Sequence, residues 1–253
     1  MPLDIVTVPC LKDNYAYIVK GPDGIALIDA PEAKPLINVL EHRGWKPDVI
    51  MITHHHHDHV GGVDELREKY GCKVMGPAAE KDKLPELDMA LEPGFSGGTD
   101  DGLCEVIPVP GHTLGHVAYH YPEAKCLFSA DSLMVMGCGR IFEGTPEMMW
   151  DSLSTLAALD PQTIVCSGHE YGESNAAFAK TIEPDNPGLI SRAQMITVAR
   201  GRGQPTAQVP LYVELQTNPF LRAGQASVKK ALGMEDASDL EVFTEIRARK
   251  DKF

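Results

Sequence analysis

The sequence lacks any apolar run near the ~18 residues that a membrane-spanning helix requires, so no membrane span is expected. No basic stretch followed by an apolar segment opens it, so no secretory leader is expected and the cytoplasm is the expected location. The six cysteines form no C-x-x-C pair and no small-domain framework, which favours reduced thiols over disulfides or a thiolate metal site. Basic residues are scarce: 23 Lys and Arg stand against 36 Asp and Glu, for a net charge of -13. That balance excludes nonspecific binding to nucleic acid or anionic membrane, whose affinity comes from clustered cations. An anionic small molecule would need a local basic patch, and the closing "RARKDKF" offers one. No repeat, no low-complexity segment and no G-x-S-x-G nucleophile setting is present.

What remains is ordinary soluble-protein chemistry, 43% hydrophobic and 23% charged, in 253 residues. That suits one large domain, or one domain with a smaller companion. Short β-rich runs punctuated by Gly, Pro and Asp fill the first two thirds: "DIVTV", "YAYIVK", "GIALID", "DVIMIT", "CKVMG", "EVIPV", "VAYHY", "KCLFSA" and "TIVCSG". Helical periodicity places helices at "EAKPLINVLEHRG" and "GVDELREKYG", and Thr145 caps a third at "PEMMWDSLSTLAALD". The interleaving predicts a layered α/β domain. After about residue 170 strand runs nearly vanish, and four helix-like segments predict a smaller helical domain.

The chemistry concentrates in "VIMITHHHHDHVGG", Val49 to Gly62. Four apolar runs end in a potential metal ligand: His54, His112, Asp131 and His169. Open α/β sheets place binding crevices at such strand ends. Any one coincidence is weak, but four together form a constellation. Just past a strand the side chains alternate, so His54 and His56 share a face while His55 and His57 point away. Asp58 and His59 follow where the chain turns into a helix. Two ions fit this inventory. His54, His56 and His112 hold the first, Asp58, His59 and His169 the second, and Asp131 bridges. Imidazole and carboxylate ligands suit zinc, iron or manganese.

Each residue also has a plainer reading. Asp58 could simply cap the following helix, but the six other ligands outweigh that. His55, His57 and His120 have no partners in the metal scheme, and His42 sits at a charged helix end. For these four a structural role is expected. His116 is expected to be a satisfied buried histidine rather than a donor to a ligand.

"THHHHDH" resembles the T-H-x-H-x-D-H signature of the metallo-β-lactamase superfamily, and "PGHTLGH", "SADSL" and "SGHEY" look like its later ligand motifs. "DNYAYIV", "GCGRIFEGTPEMM", "GHEY", "TNPFLR" and "IRARKDKF" narrow the resemblance to the glyoxalase II (hydroxyacylglutathione hydrolase) family, over essentially the whole chain. The resemblance implies an α/β fold, an αββα sandwich, with a smaller C-terminal helical domain. Residues 1–170 would form the catalytic domain and 171–253 the glutathione-binding one. It implies two divalent transition-metal ions per chain, zinc first among them, on the seven ligands named above, in a monomer. It also implies hydrolysis of S-D-lactoylglutathione to D-lactate and glutathione by a metal-bridging hydroxide, with Asp58 catalytic. The glutathione contacts fall on Arg140, Phe142, Tyr171, Arg247 and Lys250. Ala130 departs from the glycine usual before the bridging Asp. Arg140 and Phe142 stand where Lys and Tyr are common, and His57 where an aromatic or small residue is frequent. A persulfide dioxygenase, another hydrolase of the superfamily and a non-catalytic metal-binding protein are the rival expectations.

Overall fold

Residues 3–99 and 102–253 are described by a computed structural model. They divide into two compact units, Met1–Pro108 with Thr113–Ala130, and Val109–His112 with Asp131–Phe253.

In the first unit the elements run β1 (Asp4–Cys10), β2 (Asn14–Gly21), β3 (Gly24–Ile28), α1 (Ala33–Arg43), β4 (Val49–Met51), α2 (His57–Val60), α3 (Val63–Tyr70) and β5 (Lys73–Pro77). β6 (Met89–Leu91), β7 (Ser96–Gly97), β8 (Cys104–Pro108), β9 (Val117–Tyr121) and β10 (Cys126–Ala130) follow. The first sheet has the order β1-β2-β3-β4-β5-β6. β1 to β3 are antiparallel neighbours. β3 to β6 pair in parallel, α1 connecting β3 to β4 and α3 leading into β5. β10, β9, β8 and β7 lie side by side in a second sheet.

Period-two alternation assigns the faces. Ile18, Leu27, Ile50 and Val74 point from the first sheet into a cluster with Leu36 and Leu40 of α1 and Val63 and Leu66 of α3. The intervening residues face the second sheet. The Tyr17 ring lies 5.2 Å from that of Phe128, and the Tyr119 hydroxyl donates to the Ile52 carbonyl at 2.6 Å. With a helix layer on one side and a second sheet on the other, β2 is buried along most of its length and carries almost no polar face.

The second unit contains β11 (Leu133–Met134), β12 (Gly137–Cys138), α4 (Pro146–Ala157), β13 (Ile164–Ser167), α5 (Gly172–Ile182), α6 (Pro187–Gly201), β14 (Gln208–Pro210), α7 (Leu211–Thr217), α8 (Ala226–Leu232) and α9 (Asp239–Lys252). Sequence chemistry sets the helix starts. Thr145 caps α4 ahead of Pro146, Asn186 caps α6 ahead of Pro187, and Ser238 with Glu241 forms a capping box on α9. At the core of this unit Phe178 stacks on Phe220, and Phe220 meets Phe243 edge-on. A buried network pins the β11–β12 hairpin. Glu214 accepts from Arg192, from the Met136 backbone N–H and from Asn218, while Asn218 also donates to the carbonyls of Met134 and Gly137.

No helix among the described residues is long and apolar enough to cross a membrane.

Candidate metal centre

In the first unit, β4 delivers the chain into a turn that packs the histidines together. The His54 ring lies 4.2 Å from His59, 4.8 Å from His56 and 4.6 Å from His116, on which it stacks. His54 Nε2 and His56 Nδ1 are 3.2 Å apart, so the two-residue spacing does put both rings on one face. His57 opens α2 and is exposed, and Asp58 and His59 lie inside that short helix.

The hydrogen bonds fix which ring nitrogen carries the proton. Thr53 donates its hydroxyl to Asp29 Oδ2 at 2.8 Å, so its oxygen accepts from His54 Nδ1 at 3.0 Å. Asp29 Oδ2 also accepts from His59 Nδ1 at 2.8 Å, and Oδ1 accepts from the Thr53 backbone N–H. In the neutral rings, both Nε2 atoms are therefore left as lone pairs. Asn14 donates to the Asp58 backbone carbonyl at 2.9 Å and to its Oδ2 at 3.0 Å, holding the carboxylate 3.8 Å from His59 Nε2.

The second unit repeats the logic. His112 Nδ1 donates to the Arg140 carbonyl at 2.7 Å. Its Nε2 lone pair then faces Asp131 Oδ2 at 3.4 Å, and His169 Nε2 lies 3.2 Å from the same oxygen. A lone pair set against a carboxylate oxygen is repulsive unless a proton or a cation sits between them. Buried nitrogen and oxygen donors, aligned by hydrogen bonds on their far sides, fit divalent transition metals. Gly139 makes the packing possible, because a Cβ there would overlap the Asp131 carbonyl oxygen and press on His112 Nδ1.

The residues assigned to substrate by resemblance also lie in this unit. Phe142 is exposed, with its ring 5.2 Å from that of His112. Tyr171 is exposed and stacks on His169 at 4.8 Å and 8°. Arg140 is exposed, its Nε 3.7 Å from Asp251. Lys250 sits over the rings of Phe178 and Phe253, and burial, then the Arg247 charge, push its ammonium below the usual range. Arg247 differs from the others. It is only 6% exposed, donates to the Cys138 carbonyl at 3.1 Å and grips Asp251 through Nε and Nη2.

Among the remaining histidines, His120 meets Glu105, His55 meets Glu80 and His116 is buried against His54. The anchoring residues Asn14, Asp29 and Thr53 had no ligand-like signal in the sequence. Asp29 ends a strand run at a φ of 57°, a conformation that few non-glycine residues adopt.

Two family models cover this chain. One, described as the metallo-β-lactamase superfamily, matches residues 12–169, and the other, the hydroxyacylglutathione hydrolase C-terminus, matches 170–253. A protein of Cereibacter sphaeroides named hydroxyacylglutathione hydrolase is 55% identical over 257 residues, covering 100% of both chains. This chain belongs to the hydroxyacylglutathione hydrolase family. A second relative of that name, from Ruegeria pomeroyi, is 52% identical, again over 100% of each chain. The solved structure titled TTHA1623 in a di-iron-bound form is 27% identical with a TM-score of 0.62, covering 86% of this chain and 100% of that one. The family fold is the expected one, a metallo-β-lactamase α/β domain followed by the helical C-terminal segment, and that fold implies divalent metal binding.

Proposed function

We propose that this chain hydrolyses 2-hydroxyacylglutathione thioesters, S-D-lactoylglutathione first among them, to D-lactate and glutathione. The full-length match to relatives named hydroxyacylglutathione hydrolase carries the reading. In it, His54, His56 and His112 hold one divalent ion, Asp58, His59 and His169 hold a second, and Asp131 serves both. All seven of these residues lie within the superfamily match, residues 12–169, which supports the assignment. Zinc is the metal proposed, with iron and manganese served by the same donors. Bound there, the ions would supply Lewis acidity toward the thioester carbonyl and lower the pKa of water far enough to make hydroxide available near neutral pH.

The chain's own groups do the rest. Asp58, aligned by Asn14, orients the attacking hydroxide. A C–O bond forms at the thioester carbon, the C–S bond breaks, and glutathione leaves as a thiolate. A thiol pKa near 8.5 makes that departure easy without a dedicated acid. Asp29 and the Arg140 carbonyl keep His59 and His112 in the tautomers that present Nε2. Arg140, Lys250, Phe142 and Tyr171 contact the glutathione moiety, and a focused basic patch lets an acidic protein bind an anion. Arg247 belongs to the same glutathione patch in this reading, and it also holds β12 and Asp251. Residues 1–170 act as the catalytic domain and 171–253 as the glutathione-binding domain. The chain works as a monomer in the cytoplasm, a placement supported by six buried cysteines that form no disulfide. The test compares S-D-lactoylglutathione with a coenzyme A thioester of the same acyl group. Selective cleavage of the glutathione ester is expected, and equal or no cleavage contradicts the reading.

A further inference from the structure

Glu80 is a carboxylate only 3% exposed, at the end of the 3-10 turn Ala78–Glu80 that follows β5. A buried carboxylate is costly unless its oxygens are saturated with donors. Here the donors divide by loop. Oε2 accepts from the His55 backbone N–H at 2.7 Å and from His55 Nδ1 at 2.8 Å. Oε1 accepts from the Thr113 hydroxyl and from the Gly115 backbone N–H at 3.0 Å. One oxygen therefore holds the loop that carries His54 and His56, and the other holds the loop that carries His116.

The second loop bears directly on the first. The His116 ring lies on His54 with an interplanar angle of 18°, and the Val117 backbone N–H donates to the Thr53 carbonyl at 3.0 Å. Gly115 admits the carboxylate side chain, since a Cβ at that position would collide with Glu80 Cγ and Ala79 Cβ. His54 is thus fixed by Thr53 at Nδ1, by His116 on its face, and by Glu80 through the backbone of His55 next to it.

We propose that Glu80 is a positioning residue for the metal centre, clamping the two loops so that His54 and His56 present their ring nitrogens in the geometry that binds the ion. This rests on the assignment of those histidines as ligands. Only a carboxylate of this length satisfies the clamp. Glutamine offers one accepting oxygen, so its amide N–H groups face two donors and release one loop. Aspartate is a methylene shorter and spans only one loop.

The test measures zinc binding by chelator competition in the wild-type protein, Glu80→Gln, Glu80→Asp and Thr113→Val. The visible spectrum of the cobalt(II)-loaded proteins is recorded as well, at a temperature where circular dichroism shows each metal-free protein folded. The expected result is an increase of about 10- to 100-fold in the zinc Kd of the Glu80 variants, a smaller increase in Thr113→Val, and altered cobalt bands in each. A merely structural Glu80 would lower the melting temperature of the metal-free protein and leave the zinc Kd and the cobalt spectrum of folded variants at wild-type values. That result overturns the proposal. Should neither Glu80 variant fold, Thr113→Val, which removes one donor and keeps the carboxylate, decides by the same criterion. A wild-type protein that binds no zinc or cobalt overturns the ligand assignment itself.

Discussion

The Nδ1 of His112 donates to the backbone carbonyl of Arg140, 2.7 Å away. In the proposed function one residue therefore does two separable things: its main chain orients His112, and its exposed guanidinium would meet the glutathione anion. Arg140→Ala keeps the carbonyl and removes the cation. The expected outcome is a KM for the glutathione thioester raised about 2- to 5-fold, as for exposed charge pairs, with kcat unchanged. A fall in kcat at constant KM would show that the side chain does more than bind substrate.

Lys250 and Arg247 share α9 but should fail differently. Lys250→Ala is expected to raise KM while leaving the melting temperature close to wild type. Arg247→Ala abandons the Cys138 carbonyl and Asp251, and hydrogen bonds made by charged groups contribute about 1.5–3 kcal/mol each. Its expected signature is a loss of stability in denaturant titration. An Arg247→Ala protein as stable as wild type would contradict this structural share of its role.

Ala130 occupies the left-handed region, with a φ of 40°, immediately before Asp131. A residue with a Cβ costs about 1–2 kcal/mol there, whereas glycine costs about 0.5–1 kcal/mol in unfolded-state freedom. Ala130→Gly is expected to stabilise the protein by roughly 0.5–1 kcal/mol in urea unfolding. An unchanged or lower midpoint would refute the strain.

Glu183 makes a two-pronged ion pair with Arg222, with bonds of 2.6 and 2.9 Å. Burial pushes its carboxyl up, but the Arg222 hydrogen bonds and charge, with Ser227, bring it below the ordinary 4.5. A depressed folded-state pKa means that the stabilisation is complete above the unfolded value and is lost as pH falls through the folded one. Glu183→Gln should therefore be less stable than wild type at pH 7, and the gap should close progressively below about pH 4.5. A gap constant from pH 7 to pH 3 would contradict the assignment.

The sequence made the long, periodic elements legible, because hydrophobic patterning is strong where a strand or helix has several residues on one face. β6, β7, β11, β12 and β14 span two or three residues each, too few to show a period, and α7 was hidden in a tail read as four helical segments. At the site, alternation after β4 correctly paired His54 with His56. The anchors were not legible. Asn14, Asp29 and Glu80 are ordinary polar residues whose partners lie far along the chain, and Thr53 beside His54 gains its role only from distant Asp29, so the fold alone shows what each one holds. The departure at Ala130 was visible as a missing glycine, but its physical reason, a positive φ, needed the backbone.

Hydrolysis by a two-ion centre makes activity depend on the metal bound per chain. The direct measurement strips the protein with a chelator, restores zinc stepwise, and follows S-D-lactoylglutathione hydrolysis against zinc bound per chain by elemental analysis. Activity should rise with bound metal and level off at about two ions per chain. Full activity in protein holding about one ion or none would contradict it.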